Sequence, residues 1–148
     1  MTSITSSRFV RASQAAAFAL ASDLRGAPSR IPAIVRLEVL TDGPIGVGTR
    51  FRETRRMFGR EATEEMEVTS FDPPRSYAVG CESCGARYRS EFRFTPQDGG
   101  TEIRMEFAAE PLTAMAKVMG FLMRPMMKKM VQTCAKDLDH LADALERS

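Results

Sequence analysis

The sequence predicts an α+β fold, in which a curved antiparallel sheet of about seven strands surrounds one long C-terminal helix. Between Ala33 and Glu110 apolar and polar residues alternate, and short turns rich in glycine and proline separate the alternating segments. After Pro111 the apolar residues follow a helical period up to the C-terminus. A helix packed on one face of a curved sheet buries both apolar surfaces.

The N-terminal residues predict one strand followed by two short helices. Residues 4–11 alternate as a strand, and Ser13 can cap the alanine-rich helix that follows. Pro28 and Pro32 interrupt the next stretch, which favours a short second helix or a turn. Near the other end, Pro125 should kink or divide the last helix, because proline removes one backbone donor.

Length, charge and cysteine content exclude several classes of protein. The 148 residues suit a single domain over residues 1–148, and a net charge of +2 does not favour a nucleic-acid partner. The polar N-terminus lacks the apolar segment of a signal peptide, and the apolar stretch 112–127 is too short and too interrupted to span a bilayer. Three cysteines argue against a secreted disulfide framework. We therefore expect a cytoplasmic protein without stable membrane insertion.

One segment of the sequence resembles a known superfamily. Residues 42–79, DGPIGVGTRFRETRRMFGREATEEMEVTSFDPPRSYAV, are similar to the START-related polyketide cyclase/dehydrase and lipid-transport superfamily (SRPBCC). In that superfamily a strand ending in DGP, a GxGTR re-entry, a glycine hairpin and a strand closed by FDPP recur in this order. The resemblance implies a helix-grip fold, as in START and birch-pollen-allergen-like proteins, over nearly the whole chain. Its members include carriers, receptors, cyclases and chaperone cofactors, so the fold alone does not decide the function.

Strand alternation indicates which side chains line the cavity of such a fold, since every second residue of a strand faces the same side. The expected lining is mainly apolar, which is a common plan for a small-molecule site. We therefore expect the partner to be a hydrophobic or amphipathic small molecule. The predicted lining residues are Phe51, Glu53, Arg55, Glu64, Met66, Tyr77, Val79, Cys81, Tyr88, Ser90, Phe92, Met105, Phe107, Met119, Met126 and Met130.

Strand register predicts an ionisable patch at one end of this cavity. Two-residue turns at 58–59 and 84–85 set two of the pairings, and pairing Val68 with Tyr77 across the DPP turn sets a third. The resulting polar row is Glu53, Glu64, Cys81 and Tyr88, with Arg55 one step away.

Two interpretations of the polar row stay open. Opposed carboxylates repel each other unless a cation lies between them or one of them keeps its proton. Glu53 and Glu64 could form a general acid/base pair, with Arg55 and Tyr88 orienting a carbonyl or phenol of a polyketide-like substrate. The same residues could instead form a structural ion-pair network at the open end of the sheet.

The remaining motifs do not indicate a metal, a cofactor or a phosphate site. Cys81 and Cys84 match C-x-x-C, but the motif lies at a hairpin, and Cys134 is the only other thiol, so a four-cysteine zinc site cannot form. His140 is the only histidine. The glycines of residues 42–51 lie between two strands, which favours a turn over a nucleotide-binding loop.

A methionine stripe in the last helix allows three interpretations. Met115, Met119, Met123, Met126 and Met130 follow helical spacing. The stripe could be ordinary core, a flexible lining for varied ligands, or a segment that contacts a membrane surface.

The leading functional hypothesis is binding or carriage of a small molecule. A cyclase or dehydratase is the alternative, and a protein-interaction module is third. A homodimer stays open.

Overall fold

The computed structural model describes residues 2–57, 59–83, 85–122 and 127–147 and confirms the α+β helix-grip architecture. Within these residues seven antiparallel strands form one sheet, in the order β1-β7-β6-β5-β4-β3-β2. Short helices follow the first strand, and a long helix ends the chain. The elements are β1 (Thr2–Val10), α1 (Gln14–Ala21), α2 (Ala27–Arg30), β2 (Ile34–Val39), β3 (Arg50–Met57), β4 (Arg60–Asp72), β5 (Ser76–Ser83), β6 (Ala86–Gln97), β7 (Gly100–Pro111), α3 (Ala114–Leu122) and α4 (Met127–Arg147).

Helix α1 begins at the predicted cap and closes one end of the core. The Ser13 side chain accepts a hydrogen bond from the Ala16 N–H at 3.1 Å, which satisfies one of the free donors of the first turn. Phe18 is buried, and its ring makes edge-on contacts with three aromatic side chains of the sheet. The centroid distances are 5.3 Å to Phe71, 5.8 Å to Tyr77 and 5.4 Å to Phe94.

Helix α4 supplies the other half of the core. Its buried side chains recur at helical spacing and contact the concave face of the sheet, where they meet Phe51, Val68 and Ile103. The buried residues of α4 are Cys134, Leu138, Leu141, Ala142 and Leu145. Pro125, the predicted site of a kink, lies outside the described residues.

Two of the three predicted hairpin registers are confirmed. Glu53 pairs with Glu64 across β3 and β4, and Cys81 pairs with Tyr88 across β5 and β6. Both registers follow from two-residue turns at the expected positions. Such turns match the twist of the strands when a residue with positive φ, usually glycine, is present. Gly85 has a φ of 76°.

Between β4 and β5 the predicted pairing is wrong. The sequence prediction pairs Val68 with Tyr77, whereas Val68 lies opposite Val79 in the structure. Glu64 is therefore not opposite Cys81, and the predicted polar row is interrupted at this step.

The turn between β4 and β5 causes the error. Asp72 pairs with Ser76, so the turn holds residues 73–75, two of them prolines that have no N–H to give to the ladder. A bulge between Val68 and Ser70 moves the register back by one residue, towards the predicted pairing but not as far as Tyr77. A second bulge interrupts β2 between Ile34 and Arg36.

The glycine-rich segment of residues 42–51 connects β2 to β3, as predicted for a turn. Gly43 and Gly48 both have φ of 91°, a conformation that strains any residue with a side chain. The Gly48 N–H donates to the Val68 carbonyl at 2.9 Å, which fixes the end of the loop to β4. The loop leads directly into β3 and not into a helix, so its N–H groups are not organised as a phosphate site.

Two valines test whether the core is where the structure places it. Val68 is fully buried and Val47 is 69% exposed. Val68→Ala should lower the free energy of unfolding by about 2 kcal/mol, because it removes buried methyl groups and leaves a void. The control Val47→Ala should change it by less than about 0.5 kcal/mol. Urea unfolding at neutral pH measures both, and equal effects would contradict the assigned core.

Candidate functional site

A cavity of about 140 Å³ lies between the concave face of the sheet and α4. Three sides contribute to its wall: strands β2 to β7, the segment from α1 to α2, and the middle of α4. Most lining side chains are apolar, and the charged ones are Glu53, Arg55, Arg30 and Asp137. The cavity wall is therefore mainly apolar, and its four charged side chains among the described residues come from α2, β3 and α4.

Many of the predicted lining residues do contact this cavity. They come from alternate positions of β3 to β7, as expected for side chains that share the concave face. These residues are Phe51, Glu53, Arg55, Met66, Tyr77, Val79, Ser90, Phe92 and Met105.

Five other predicted residues do not line the cavity: Glu64, Cys81, Tyr88, Phe107 and Met119. The β4–β5 register separates Glu64 from Cys81. Tyr88 and Phe107 stack on each other with their ring centroids 5.9 Å apart. Met119 is half-exposed on α3.

The other two methionines of the prediction cannot be placed on the cavity wall. Met126 lies outside the described residues, and for Met130 the structure describes the backbone alone.

The charged end of the cavity is an Arg55-centred triad. The Arg55 Nε donates to Glu53 Oε1 at 3.1 Å, and its Nη1 donates to Asp137 Oδ2 at 2.9 Å. All three side chains are largely buried. Two carboxylates against one guanidinium leave an excess of negative charge at this end. The predicted Glu–Arg–Glu network is therefore a Glu–Arg–Asp network, and its second carboxylate comes from α4.

Burial and charge act against each other in this triad. Burial favours a neutral Arg55, but Asp137 and Glu53 outweigh it, so the pKa of Arg55 is raised and the side chain stays charged. For Asp137 burial is the stronger effect, and it raises the pKa of the carboxyl although Arg55 acts in the opposite direction. Asp137 is therefore the carboxyl of the triad that takes up a proton more readily than an exposed aspartate.

Sequence reasoning missed Asp137, although a signal was present. The buried stripe of α4 contains Cys134, Leu138 and Leu141, and Asp137 lies three residues after the first and four before the last. That spacing places its carboxyl on the core side of the helix. A charge on an apolar stripe indicates a buried partner, which here is Arg55.

Arg30 is the second cationic residue of the cavity wall. Its side chain is largely buried. Its Nη2 donates a hydrogen bond to the backbone oxygen of Asp23 at 2.7 Å, and its Nη1 lies 3.5 Å from the carboxylate of the same residue. The Arg30 Nε is buried without a hydrogen-bond partner among the described atoms. Sequence reasoning missed Arg30 because the surrounding prolines and glycine indicated a short second helix or a turn, without showing that it approaches the cavity.

The described thiols do not form a redox or metal site. Burial, together with Glu64 and Glu53, raises the pKa of Cys81 to about 11, so the thiol stays protonated at neutral pH and is a poor nucleophile. Cys134 is buried among core side chains. Cys84 lies outside the described residues. Among the residues described, no group of side chains has the composition and geometry to hold a metal ion.

On the convex face several arginines pair with glutamates of neighbouring positions. Arg56 contacts Glu61 at 3.1 Å, and Arg89 and Arg93 both contact Glu91, at 2.9 and 2.8 Å. The arginine side chain of each pair is half-exposed or more, so each pair stabilises the fold little.

The whole chain matches one family in sequence. Residues 1–146 fit the family described as polyketide cyclase / dehydrase and lipid transport. The chain belongs to this polyketide cyclase / dehydrase and lipid transport family. No curated protein matches the chain in sequence. In the described part of the chain, the helices lack the length and apolar character needed to cross a membrane.

Several solved structures share the fold of this family member. A protein from Thermus thermophilus superposes with a TM-score of 0.81 at 21% identity, over 99% of this chain and 98% of that one. The Zhui aromatase/cyclase from Streptomyces sp. R1128 superposes with a TM-score of 0.77 at 17% identity, over 99% of this chain and 94% of that one. A START superfamily protein from Mycobacterium smegmatis superposes with a TM-score of 0.76 at 16% identity, over 97% of this chain and 98% of that one. At these identities the likeness shows the fold alone.

The raised pKa of Asp137 predicts a pH-dependent difference between the protein and Asp137→Asn. Native Asp137 takes up a proton at higher pH than it does in the unfolded chain, so acidification stabilises the native state through this group. The stability of the wild type relative to Asp137→Asn should therefore rise as pH falls from 7 towards the ordinary aspartate value of 3.8.

Urea unfolding at several pH values measures this difference. Asp139→Asn is the control on the same helix, since the Asp139 side chain is half-exposed in its pair with Arg8, and it should differ little from the wild type. If the difference in unfolding free energy between the wild type and Asp137→Asn decreased on acidification, the raised pKa assigned to Asp137 would be contradicted.

Proposed function

We propose that the protein binds and carries a hydrophobic or amphipathic small molecule in the cavity between the sheet and α4. The observation that carries this proposal is the combination of an apolar wall with the Arg55-centred triad at one end. An apolar enclosure provides affinity for a nonpolar body, and a few polar groups orient it.

The size of the cavity sets the scale of the ligand group that fits without rearrangement. At about 140 Å³ it is close to the roughly 150 Å³ of an engineered protein cavity that binds benzene. One ring or a short branched chain fits this volume. The cavity is partly open to solvent, so the remainder of a larger ligand would extend through its mouth.

Two guanidinium groups suit a ligand that has an oxygen acceptor. A guanidinium has five N–H groups, and the two ion pairs of Arg55 use Nε and one N–H of Nη1. Arg30 adds a buried Nε that a ligand oxygen could satisfy after a small adjustment. We therefore infer a ligand with an apolar ring or chain and an uncharged oxygen group such as a carbonyl or phenol.

The family and the structural neighbours support this proposal. The family description includes lipid transport, and one neighbour is a START superfamily protein. We further propose that binding takes place in the cytoplasm. Cys81 and Cys134 are both free thiols, which is the state that a reducing compartment maintains.

A cyclase or dehydratase is the second candidate, and Asp137 favours it. Its carboxyl lines the cavity beside Arg55, and its raised pKa suits a group that exchanges a proton with a bound carbonyl compound. One of the structural neighbours described above is an aromatase/cyclase.

Filling the cavity should abolish binding. Ser90 lines the cavity, and Thr95 lies on the same strand with its side chain on the exposed face. Ser90→Phe should remove any molecule that co-purifies with the wild type from its own cells, because the phenyl ring occupies the same space. The control Thr95→Phe should keep it. Native mass spectrometry of the intact protein compares the three.

The same measurement separates carriage from catalysis. A carrier releases the co-purified molecule with its mass unchanged after incubation, whereas a dehydratase releases a product lighter by one water. A wild type without a bound molecule, which also fails to bind benzene or phenol, would overturn the proposal.

Arg55 should discriminate between ligands with and without an oxygen. Arg55→Lys keeps the charge but loses the planar arrangement of donors, so affinity for phenol should fall about tenfold while affinity for benzene stays within about twofold. The control Arg52→Lys changes the neighbouring arginine of β3 on the exposed face. Ligand-observed NMR titration measures both probes. An equal loss for phenol and benzene would instead indicate a general change of the cavity.

A further inference from the structure

Helix α3 exposes an unusual amount of apolar surface. Met115 is 78% exposed and Phe121 is 68% exposed, and three further apolar side chains on this helix are half-exposed or more. Met115, Val118, Met119 and Leu122 recur at the spacing of one helix face, and Phe121 lies beside them. We call this surface the apolar face of α3: Met115, Val118, Met119, Phe121 and Leu122.

The opposite side of α3 explains why the apolar face points outward. Thr113 caps the helix, since its side chain accepts a hydrogen bond from the Ala116 N–H at 3.1 Å. A Cβ added at Gly85 would lie 2.8 Å from Thr113 Oγ1 and 3.6 Å from Ala116 Cβ. The small residues of α3 therefore pack against the β5–β6 hairpin. The large apolar residues are left on the side away from the sheet.

The charge of this part of the sequence is of one sign. From Pro111 to Lys136 every charged residue is basic: Lys117, Arg124, Lys128, Lys129 and Lys136. Within α3 itself Lys117 is exposed. Two acidic residues of β5 and β7, Glu82 and Glu110, pair with Arg87 at 3.1 and 3.9 Å. A partner with negative charge is therefore favoured at this surface.

We propose that the apolar face of α3 docks reversibly on an anionic lipid surface. Helix α3 has an exposed apolar face, and its one charged residue is the basic Lys117. The apolar side chains of an interfacial helix enter the region between headgroups and acyl chains, and its polar side is basic. Each basic residue near an anionic membrane strengthens binding about fivefold. Because α3 has only 9 residues, the contact is peripheral and does not span the bilayer.

A protein partner or a second copy of the chain is less favoured by the same observations. An apolar protein interface would need no charge of one sign around it, whereas an anionic bilayer attracts every basic residue of the segment.

Helix α3 lies at the same end of the molecule as the charged residues of the cavity. The β3–β4 and β5–β6 hairpins lie at the same end of the antiparallel sheet, and Arg55 is near the first while α3 packs on the second. The Arg55-centred triad and the apolar face of α3 therefore lie at the same end of the molecule. A docked protein would turn the charged end of its cavity towards the lipid surface. Docking itself does not depend on what the cavity holds.

A matched pair of valine substitutions tests the proposal. Val118 on α3 is 58% exposed and Val47 is 69% exposed, and Val47 lies in the β2–β3 loop at the opposite end of the sheet. The full-length protein is sedimented with vesicles made of equal parts phosphatidylglycerol and phosphatidylcholine, or of phosphatidylcholine alone, at low and high salt. Circular dichroism and thermal unfolding confirm that both variants are folded.

The expected result is specific in three respects. The wild type and Val47→Glu should bind the phosphatidylglycerol vesicles at low salt, and binding should weaken at high salt and with phosphatidylcholine alone. Val118→Glu should bind about tenfold more weakly, because it places a carboxylate in the lipid interface. Phenol binding to the cavity should be the same in all three proteins.

Three results would overturn the proposal. One is a wild type that does not sediment with anionic vesicles at low salt. Another is equal binding by Val118→Glu and Val47→Glu. The third is a dimer in analytical ultracentrifugation that Val118→Glu dissociates, without any vesicle binding, since a second copy would then cover the apolar face. If the wild type did not bind phenol, the proposal of a ligand-binding cavity would be wrong, but the proposal of membrane docking would not be affected.

Discussion

The structure depends on the packing of one helix face into the concave side of a curved sheet. Leu138, Leu141 and Leu145 of α4 meet the inward side chains of the strands, and α1 closes the core through Phe18. Neither surface could stay in water without the other, since each is mainly apolar. The cavity is the part of this contact that the side chains do not fill. The Asp137–Arg55 ion pair lies at its edge and links helix to sheet through charge.

Strand alternation and two-residue turns were enough to predict most of the sheet from the sequence. The pairings Glu53–Glu64 and Cys81–Tyr88 follow from turn length and glycine alone. The β4–β5 pairing does not, because the hydrophobic pattern reveals neither the length of the turn after Asp72 nor the bulge after Val68. The site was predicted only in part for a related reason. Strand residues can be assigned to a face without knowing the tertiary structure, whereas Asp137 and Arg30 come from elements whose approach to the sheet the sequence does not specify.

Within the site, the two arginines are held differently. Arg55 is balanced by two carboxylates, so its charge is already compensated before any ligand arrives. Arg30 forms an ion pair with the half-exposed Asp23, and its buried Nε–H has no hydrogen-bond partner among the described atoms. A ligand oxygen would therefore replace water and relieve an unmet donor near Arg30, whereas near Arg55 it would join an existing network. If the cavity binds a ligand as proposed, this difference would make the wall formed by α2 part of the recognition surface, although strand alternation had indicated only strand residues.

The bulge in β2 has a consequence for the behaviour of the protein in solution. The sheet is open, and its edges are β1 and β2. Helix α4 packs along β1, while β2 is short, irregular between Ile34 and Arg36, and bears the exposed charges of Arg36 and Glu38. An edge of this kind is a poor template for a strand from another molecule. The same irregularity that bends β2 around the cavity thus protects the chain against edge-to-edge aggregation.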